Sequence, residues 1–388
     1  MISSKLADDI QPNIFSVLEA KRRELAAQGR ELIHLHVGTP DFLPDRHVVD
    51  ALSQAAADPA NYGYALMDLP ELTESVIQWY SRRYGVSLTP DQVTSVNGSQ
   101  EGCAHIAFSL INPGDTVIVT NPGYPIFSFG PRMAGAKLYE APLLRENHFL
   151  VDFEAIPRAV AEAAKVIVVS YPNNPVTTVA DEEFYEKLIA FAKRYNIAVI
   201  HDNAYSEIVF TGKPGISFLS VPGAMDVGIE FNSLSKSYNL TGARISFALG
   251  NREIISHFKK IRSQIDYGVF LPIQRAAIAA LNGPQDILER NRALYCQRRD
   301  ALCGGLRSIG WDVPDSEATM FVWAHLPEGH TDSFSFAMEL LEKTGVMCVP
   351  GENFGSLGRE YVRFALTAPP EKIQLAVRKI KESGMLSK

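Results

Sequence analysis

Cysteine is scarce in this chain: Cys103, Cys296, Cys303 and Cys348 are the only four in 388 residues, and no CxxC spacing relates them. That leaves no disulfide framework and no cysteine-based zinc site to read, and the thiols fit a reducing cytoplasm. Long apolar runs are missing as well. No stretch approaches the roughly 20 residues of a membrane-spanning helix, and Asp8, Asp9 and Gln11 interrupt any apolar segment of a secretory signal. Positive charge is not in excess. The 37 Lys and Arg against 44 Asp and Glu leave a formal net charge of −7, which argues against nucleic acid or an anionic membrane as the main partner. Basic clusters such as Lys21-Arg22-Arg23 and Arg298-Arg299 sit in helical patterns and read as solvated faces. Repeats, low-complexity segments and Gly/Ser linkers are absent too.

What is present is an ordinary globular composition, 46% hydrophobic and 21% charged. Short β-branched runs alternate with helical stretches. Strands are predicted at Val93–Val96, Thr116–Thr120, Val166–Ser170, Ile197–His201, Gly228–Asn232 and Ile245–Leu249. Most are continuous apolar runs, as strands covered on both faces should be. Helices are predicted between them, for example at Ser99–Leu110, Tyr124–Ala134 and Asp181–Tyr195. The pattern implies an α/β fold with a mostly parallel central sheet and helices on both faces. Two long helical stretches follow, Arg252–Leu281 and Pro284–Ser308. Beyond them lie short strands at Met320–Ala324, Val346–Val349 and Tyr361–Leu366, with helices at Ser333–Lys343 and Glu371–Ser383. This tail reads as a smaller α+β domain, joined by the N-terminal stretch with its helix at Ile14–Ala27 ended by Gly29. The expected division is 45–283 for the large domain, with 1–44 and 284–388 for the small one and a long helix as hinge.

In open α/β sheets ligands bind beyond the carboxyl ends of the strands, so the polar residues there carry the argument. After Val93–Val96 come Asn97-Gly98-Ser99-Gln100, a turn into a helix whose first amides could cradle a phosphate; a plain capping turn reads the same way. After Val166–Ser170 come Tyr171-Pro172-Asn173-Asn174-Pro175, which is also ordinary turn chemistry. His201-Asp202-Asn203-Ala204-Tyr205 puts a carboxylate at the end of a buried strand, where it is costly without a partner. Ser233-Leu234-Ser235-Lys236 follows Gly228–Asn232, with Arg244 eight residues on. Most lysines are solvated. Lys236 instead has an apolar strand behind it, hydroxyls one and three residues before it and a guanidinium after it. A desolvated lysine attacks carbonyls, and hydroxyls with a fixed guanidinium suit a phosphate monoester. His34 and His36 alternate on a strand without a third metal ligand, and His201 faces away from Asp202 and reads as packing.

At that spacing and in that order these segments resemble the class I/II aminotransferases of the aspartate aminotransferase superfamily (fold type I). Within it they are most similar to the branch containing LL-diaminopimelate aminotransferases. The resemblance runs from Gly38-Thr39-Pro40-Asp41 to Tyr361-Val362-Arg363. It implies a pyridoxal 5′-phosphate enzyme of amino acid metabolism, acting on amino acid and 2-oxo acid by a ping-pong route, and a homodimer. It also implies roles. Lys236 holds the cofactor as a Schiff base and later shuttles the proton. Asp202 pairs with the pyridine nitrogen, while Tyr205 and Asn174 hydrogen-bond the phenolic oxygen. Ser99, Gln100, Ser233, Ser235 and Arg244 hold the phosphate, and Tyr124 stacks on the ring. Arg363, helped by the backbone near Gly38, grips the substrate α-carboxylate, with Asn174 beside it. Tyr64, or Tyr62, reaches the partner's phosphate.

Three departures stand out. The family's Asn-Pro-Thr-Gly is here Asn174-Pro175-Val176-Thr177, and loss of the glycine implies an altered loop. Gly-Trp-Arg is here Gly242-Ala243-Arg244. Tyr…Gly-x-Pro-Glu-Leu is here Tyr64…Asp68-Leu69-Pro70-Glu71-Leu72, one residue shorter and without the glycine. Tyr267-Gly268 suits substrate or dimer contacts equally. A carbon–sulfur β-lyase or cyclising synthase would share Lys236, Asp202 and Arg363. A regulatory effector-binding module would need a basic winged-helix domain ahead of the pattern, and the pattern starts within the first forty residues.

Overall fold

The computed structural model describes residues 4–9, 14–213 and 215–386; the outermost residues of the expected small domain, 1–3 and 387–388, lie outside them. The chain forms two compact units. One comprises residues 40–294 and 317–319, the other residues 1–39, 295–316 and 320–388. The chain passes between them within the helix Asp286–Ser308.

The larger unit is built on a seven-stranded sheet. Its spatial order is Val93–Val96, Ser246–Gly250, Gly228–Ser233, Ala198–Asp202, Ala164–Ser170, Thr116–Asn121, Lys137–Pro142. Only Ser246–Gly250 runs against its neighbours, the other pairings being parallel. The central strands are buried on both faces because helices cover them: Val166, Ile167, Val168 and Val169 are all buried. Lys137–Pro142 is a strand that the sequence pattern did not predict. It lies at the sheet edge, mostly outside the core, so it carries no apolar run.

The expected Arg252–Leu281 helix is in fact two, Arg252–Arg262 and Leu271–Asn282. Pro272 sits in the first turn of the second, where its missing N–H costs nothing. Gly268 in the break lies so close to the Ala65 carbonyl that a side chain would overlap it. Tyr124–Ala134 shortens to Ile126–Met133, and the 181–195 helix starts at Glu182, with the Asp181 carboxylate accepting from Phe184 N at 2.9 Å.

In the smaller unit a three-stranded antiparallel sheet has the order Val349–Pro350, Tyr361–Ala365, Phe321–His325. The predicted Val346–Val349 strand is divided: Val346–Met347 pairs in parallel with Ile33–His34 instead. Helix Ile14–Ala27 packs there through Leu18 and Leu25 against Leu341 and Met347.

Candidate active site

Because the parallel strands of the larger unit share one carboxyl edge, their terminal polar residues gather there. Ser233 ends its strand and caps the short helix Leu234–Ser237: its Oγ accepts from Ser235 N at 3.2 Å. Ser246 Oγ donates to Ser233 Oγ at 2.8 Å, and Ser99 Oγ donates to Ser246 Oγ at 3.3 Å. Three strand ends thus contribute one chain of hydroxyls beside the first turn of the helix Ser99–Leu110. Ser246 had no local signal, being a lone serine at the start of an apolar strand.

Arg244 is exposed, in the left-handed conformation at φ 55°, and its Nη1 donates to Thr241 O at 3.1 Å. Its guanidinium lies against Gly98, where any Cβ would overlap it. Gly98 itself has φ 91°, a backbone that favours glycine. On the exposed side Tyr124 OH donates to Gln100 Oε1 at 3.0 Å.

Lys236 is half-buried in the short helix that follows the strand next to that of Asp202. Asp202 is buried, and its Oδ1 has no hydrogen-bond partner. Burial pushes its carboxyl up to about 7, the negative charge of Glu230 adds to the rise, and the Lys236 charge opposes it. An orphaned carboxylate oxygen needs a cationic donor. Tyr205 and Asn174 are buried on the adjoining loops. The segment after Asp202 is anchored to the helix Pro70–Tyr84 by Arg83 Nε to Glu207 Oε1 at 2.9 Å and by the 2.7 Å contact of Tyr84 OH with Ser206 Oγ.

The loop bearing Asn174 keeps a left-handed backbone where glycine was lost: Thr177 is buried at φ 67°. Asn173 holds it, with its O accepting from Thr177 N at 3.0 Å and its Oδ1 from Val176 N at 3.1 Å. Asp68, in the place of the other glycine, accepts from Ser95 N at 2.7 Å and from Ser95 Oγ. Tyr64 is 82% exposed with its ring 5.2 Å from that of Tyr267, whereas Tyr62 OH donates to Ala56 O.

Gly38 and Arg363 belong to the smaller unit. Arg363 is buried with its guanidinium carbon 4.0 Å from the Phe321 ring centroid and 4.6 Å from that of Phe354, and Nη2 donates to His36 O at 3.3 Å. A Cβ at Gly38 would meet the Phe321 ring at 2.6 Å, so glycine lets that strap lie flat on the ring. Burial lowers His36 to about 4, which keeps it neutral near the guanidinium.

The structure thus brings Ser99, Gln100, Ser233, Ser235 and Arg244 to one edge with Asp202 and Lys236. Hydroxyls, helix amides and a guanidinium match a phosphate, an amine matches an aldehyde, and the open Asp202 oxygen matches a ring N–H⁺. These residues fit pyridoxal phosphate.

Comparison with known proteins agrees. Residues 30–380 match the family described as aminotransferase class I and II. An LL-diaminopimelate aminotransferase of Dehalococcoides mccartyi is 44% identical over 97% of both chains, and one of Aquifex aeolicus is 40% identical over 96% of both. Among solved structures, substrate-bound BacF of Bacillus subtilis superposes with a TM-score of 0.95 at 37% identity over 98% of both chains. A Thermus thermophilus aspartate aminotransferase mutant gives 0.92 at 28% identity over 99% of this chain and 100% of the other.

Proposed function

We propose, from the premise that the chain belongs to the class I and II aminotransferases, that it transfers an amino group between LL-diaminopimelate and a 2-oxo acid. Transamination with pyridoxal phosphate is the activity of this family, and the donor is the one in its relatives' names. The observation that carries the site is the buried Asp202 oxygen without a partner, one strand from Lys236.

When bound, the cofactor supplies an electron sink for the electrons of the breaking bond at the substrate Cα. The chain's own residues do the rest. Ser99, Gln100, Ser233, Ser235 and Arg244 hold the phosphate, with Ser246 orienting the two hydroxyls it touches. Asp202 keeps the ring nitrogen protonated, Asn174 and Tyr205 hydrogen-bond the phenolic oxygen, and Tyr124 stacks on the ring. Lys236 attaches the cofactor and then moves a proton at the substrate Cα. Arg363, fixed between two aromatic rings, takes the α-carboxylate beside the Gly38 backbone.

A second copy completes the site. Leu43, Tyr64, Leu66, Met67, Tyr267 and Phe270 are all exposed on the larger unit, apolar surface that a second copy would cover. A groove of about 910 Å³ runs along part of it. Tyr64, not Tyr62, is the cross-subunit residue, because the Tyr62 hydroxyl is engaged by Ala56. The cytoplasm suits the free thiols. The cofactor-binding domain is taken as 45–283, which lies within the compact unit of 40–294, and the small domain as 1–44 with 284–388.

The test mixes holoenzyme with LL-diaminopimelate and a panel of other amino acids. Conversion to pyridoxamine phosphate with one equivalent of oxo acid is expected, fastest with LL-diaminopimelate. Ammonia and pyruvate release without that conversion would instead identify a lyase. Borohydride reduction and peptide mapping should label Lys236, and Lys236→Ala should abolish both label and turnover.

A further inference from the structure

The strand beside the one that ends in Asp202 carries a second acidic residue, which the proposed chemistry does not use. Glu230 is fully buried in the adjacent strand, opposite His201 in register. Its Oε1 accepts from Tyr80 OH and Ser217 Oγ, each at 2.8 Å. Its Oε2 accepts from Phe218 N at 2.8 Å and pairs with His201 Nδ1 at 3.0 Å. His201 Nε2 contacts Tyr185 OH at 3.0 Å. One backbone N–H, two hydroxyls and an imidazole nitrogen surround its two oxygens, a set of donors suited to the acceptor-only oxygens of a carboxylate. His201 and Asp202 are consecutive in a strand, so their side chains leave opposite faces of the sheet. The charge of Glu230 therefore lies across the sheet from Asp202, in an interior that screens poorly.

We propose that Glu230, held in place with His201, is a positioning residue that sets the basicity of Asp202 from the other face of the sheet. It rests on the reading of Asp202 as the partner of the ring nitrogen. A more basic Asp202 holds the ring-nitrogen proton more firmly. The direction agrees with the Asp202 carboxyl, raised by burial first and by Glu230 second. Other groups that face the pair do not supply the effect. Lys236 opposes it, while burial keeps Tyr80, Tyr84, Tyr185 and the Cys103 thiol neutral.

Glu230→Gln removes the charge and can keep all four contacts. The amide oxygen accepts from Phe218 N and His201, and the amide nitrogen donates to the Tyr80 and Ser217 hydroxyls, which rotate to accept. Two readouts in full-length protein test the proposal. In the chain freed of cofactor, the ¹³C carboxyl signal of Asp202, identified by its loss in Asp202→Asn, is titrated; Glu230→Gln should lower its midpoint by about one unit or more. Tyr80→Phe removes a comparable structural tie but keeps the charge, and should leave the midpoint in place. An unmoved midpoint in folded Glu230→Gln, or equal shifts in both variants, overturns the proposal. If Glu230→Gln does not fold, Glu230→Leu with Tyr80→Phe and Ser217→Ala orphans neither hydroxyl and takes the same measurement. In holoenzyme, the ¹⁵N shift of the ring nitrogen should report a more weakly held proton in Glu230→Gln. A moved Asp202 midpoint with an unmoved ¹⁵N shift would keep the Glu230 effect and discard the Asp202–ring pairing.

Discussion

Asp202 and Glu230 are buried carboxylates on neighbouring strands, and the fold treats them in opposite ways. Glu230 has every oxygen occupied by Tyr80, Ser217, Phe218 and His201. Asp202 keeps one buried oxygen with no partner. The first ties two strands, a helix and a loop together. The second costs stability until a ligand completes it, and such local violations are expected where a protein works.

The sharpest way to break this contrast is Glu230→Leu alone. It strands His201, two hydroxyls and an amide, and should destabilise the chain by about 3–5 kcal/mol in denaturant unfolding. Asp202→Leu leaves no such group behind and should cost far less; equal losses would erase the distinction.

Asp202→Asn sharpens the comparison through pH. The Asp202 carboxyl titrates near 7 when folded against 3.8 as the ordinary value. Well below 3.8 both states hold the proton and the pH-dependent difference between the two proteins should vanish. As pH rises from 4 to 7 the unfolded chain releases the proton and the fold does not, so the wild type loses stability. At pH 7 and without cofactor the variant should be the more stable by on the order of 3 kcal/mol. A flat difference between pH 4 and 7 would remove the burial cost from Asp202.

Arg363 is a buried charge clamped by Phe321 and Phe354. Lysine keeps the charge but not the planar fork, so Arg363→Lys should lower kcat/KM by about 2 kcal/mol, with kcat falling as KM rises. Unchanged kcat with a mildly higher KM would make it a peripheral charge.

The smallest effect concerns strain. Thr177 holds a β-branched residue at φ 67°, and Thr177→Gly should raise stability by about 1 kcal/mol. A lower Tm would show that the Thr177 side chain contributes more than its backbone costs.

Local signals explain which parts of this protein are legible in its sequence. The run Val166–Val169 is apolar because both faces are covered, and Ile229 and Phe231 are buried for the same reason, so the sheet class is written in them. Lys236, with hydroxyls before it and Arg244 after it, is a local pattern, and the resemblance it carries named the cofactor. The Lys137–Pro142 strand was not legible, since an exposed edge needs no apolar run. The break between Arg262 and Leu271 did carry local signals, Gly268 and Pro272, whereas the close approach of Gly268 to the Ala65 carbonyl is not local.

By itself the sequence determined the strand-helix alternation, the order of the motifs and the chemistry each residue type can perform, because periodicity and turn chemistry act over a few residues. Only the tertiary structure decided that Ser246 links Ser99 to Ser233, that Gly98 admits the Arg244 guanidinium and that His201 faces Glu230. Those contacts follow from which strand lies beside which and in what register. Pairing between distant segments is settled by burial of the whole sheet, and no short stretch of chain records it.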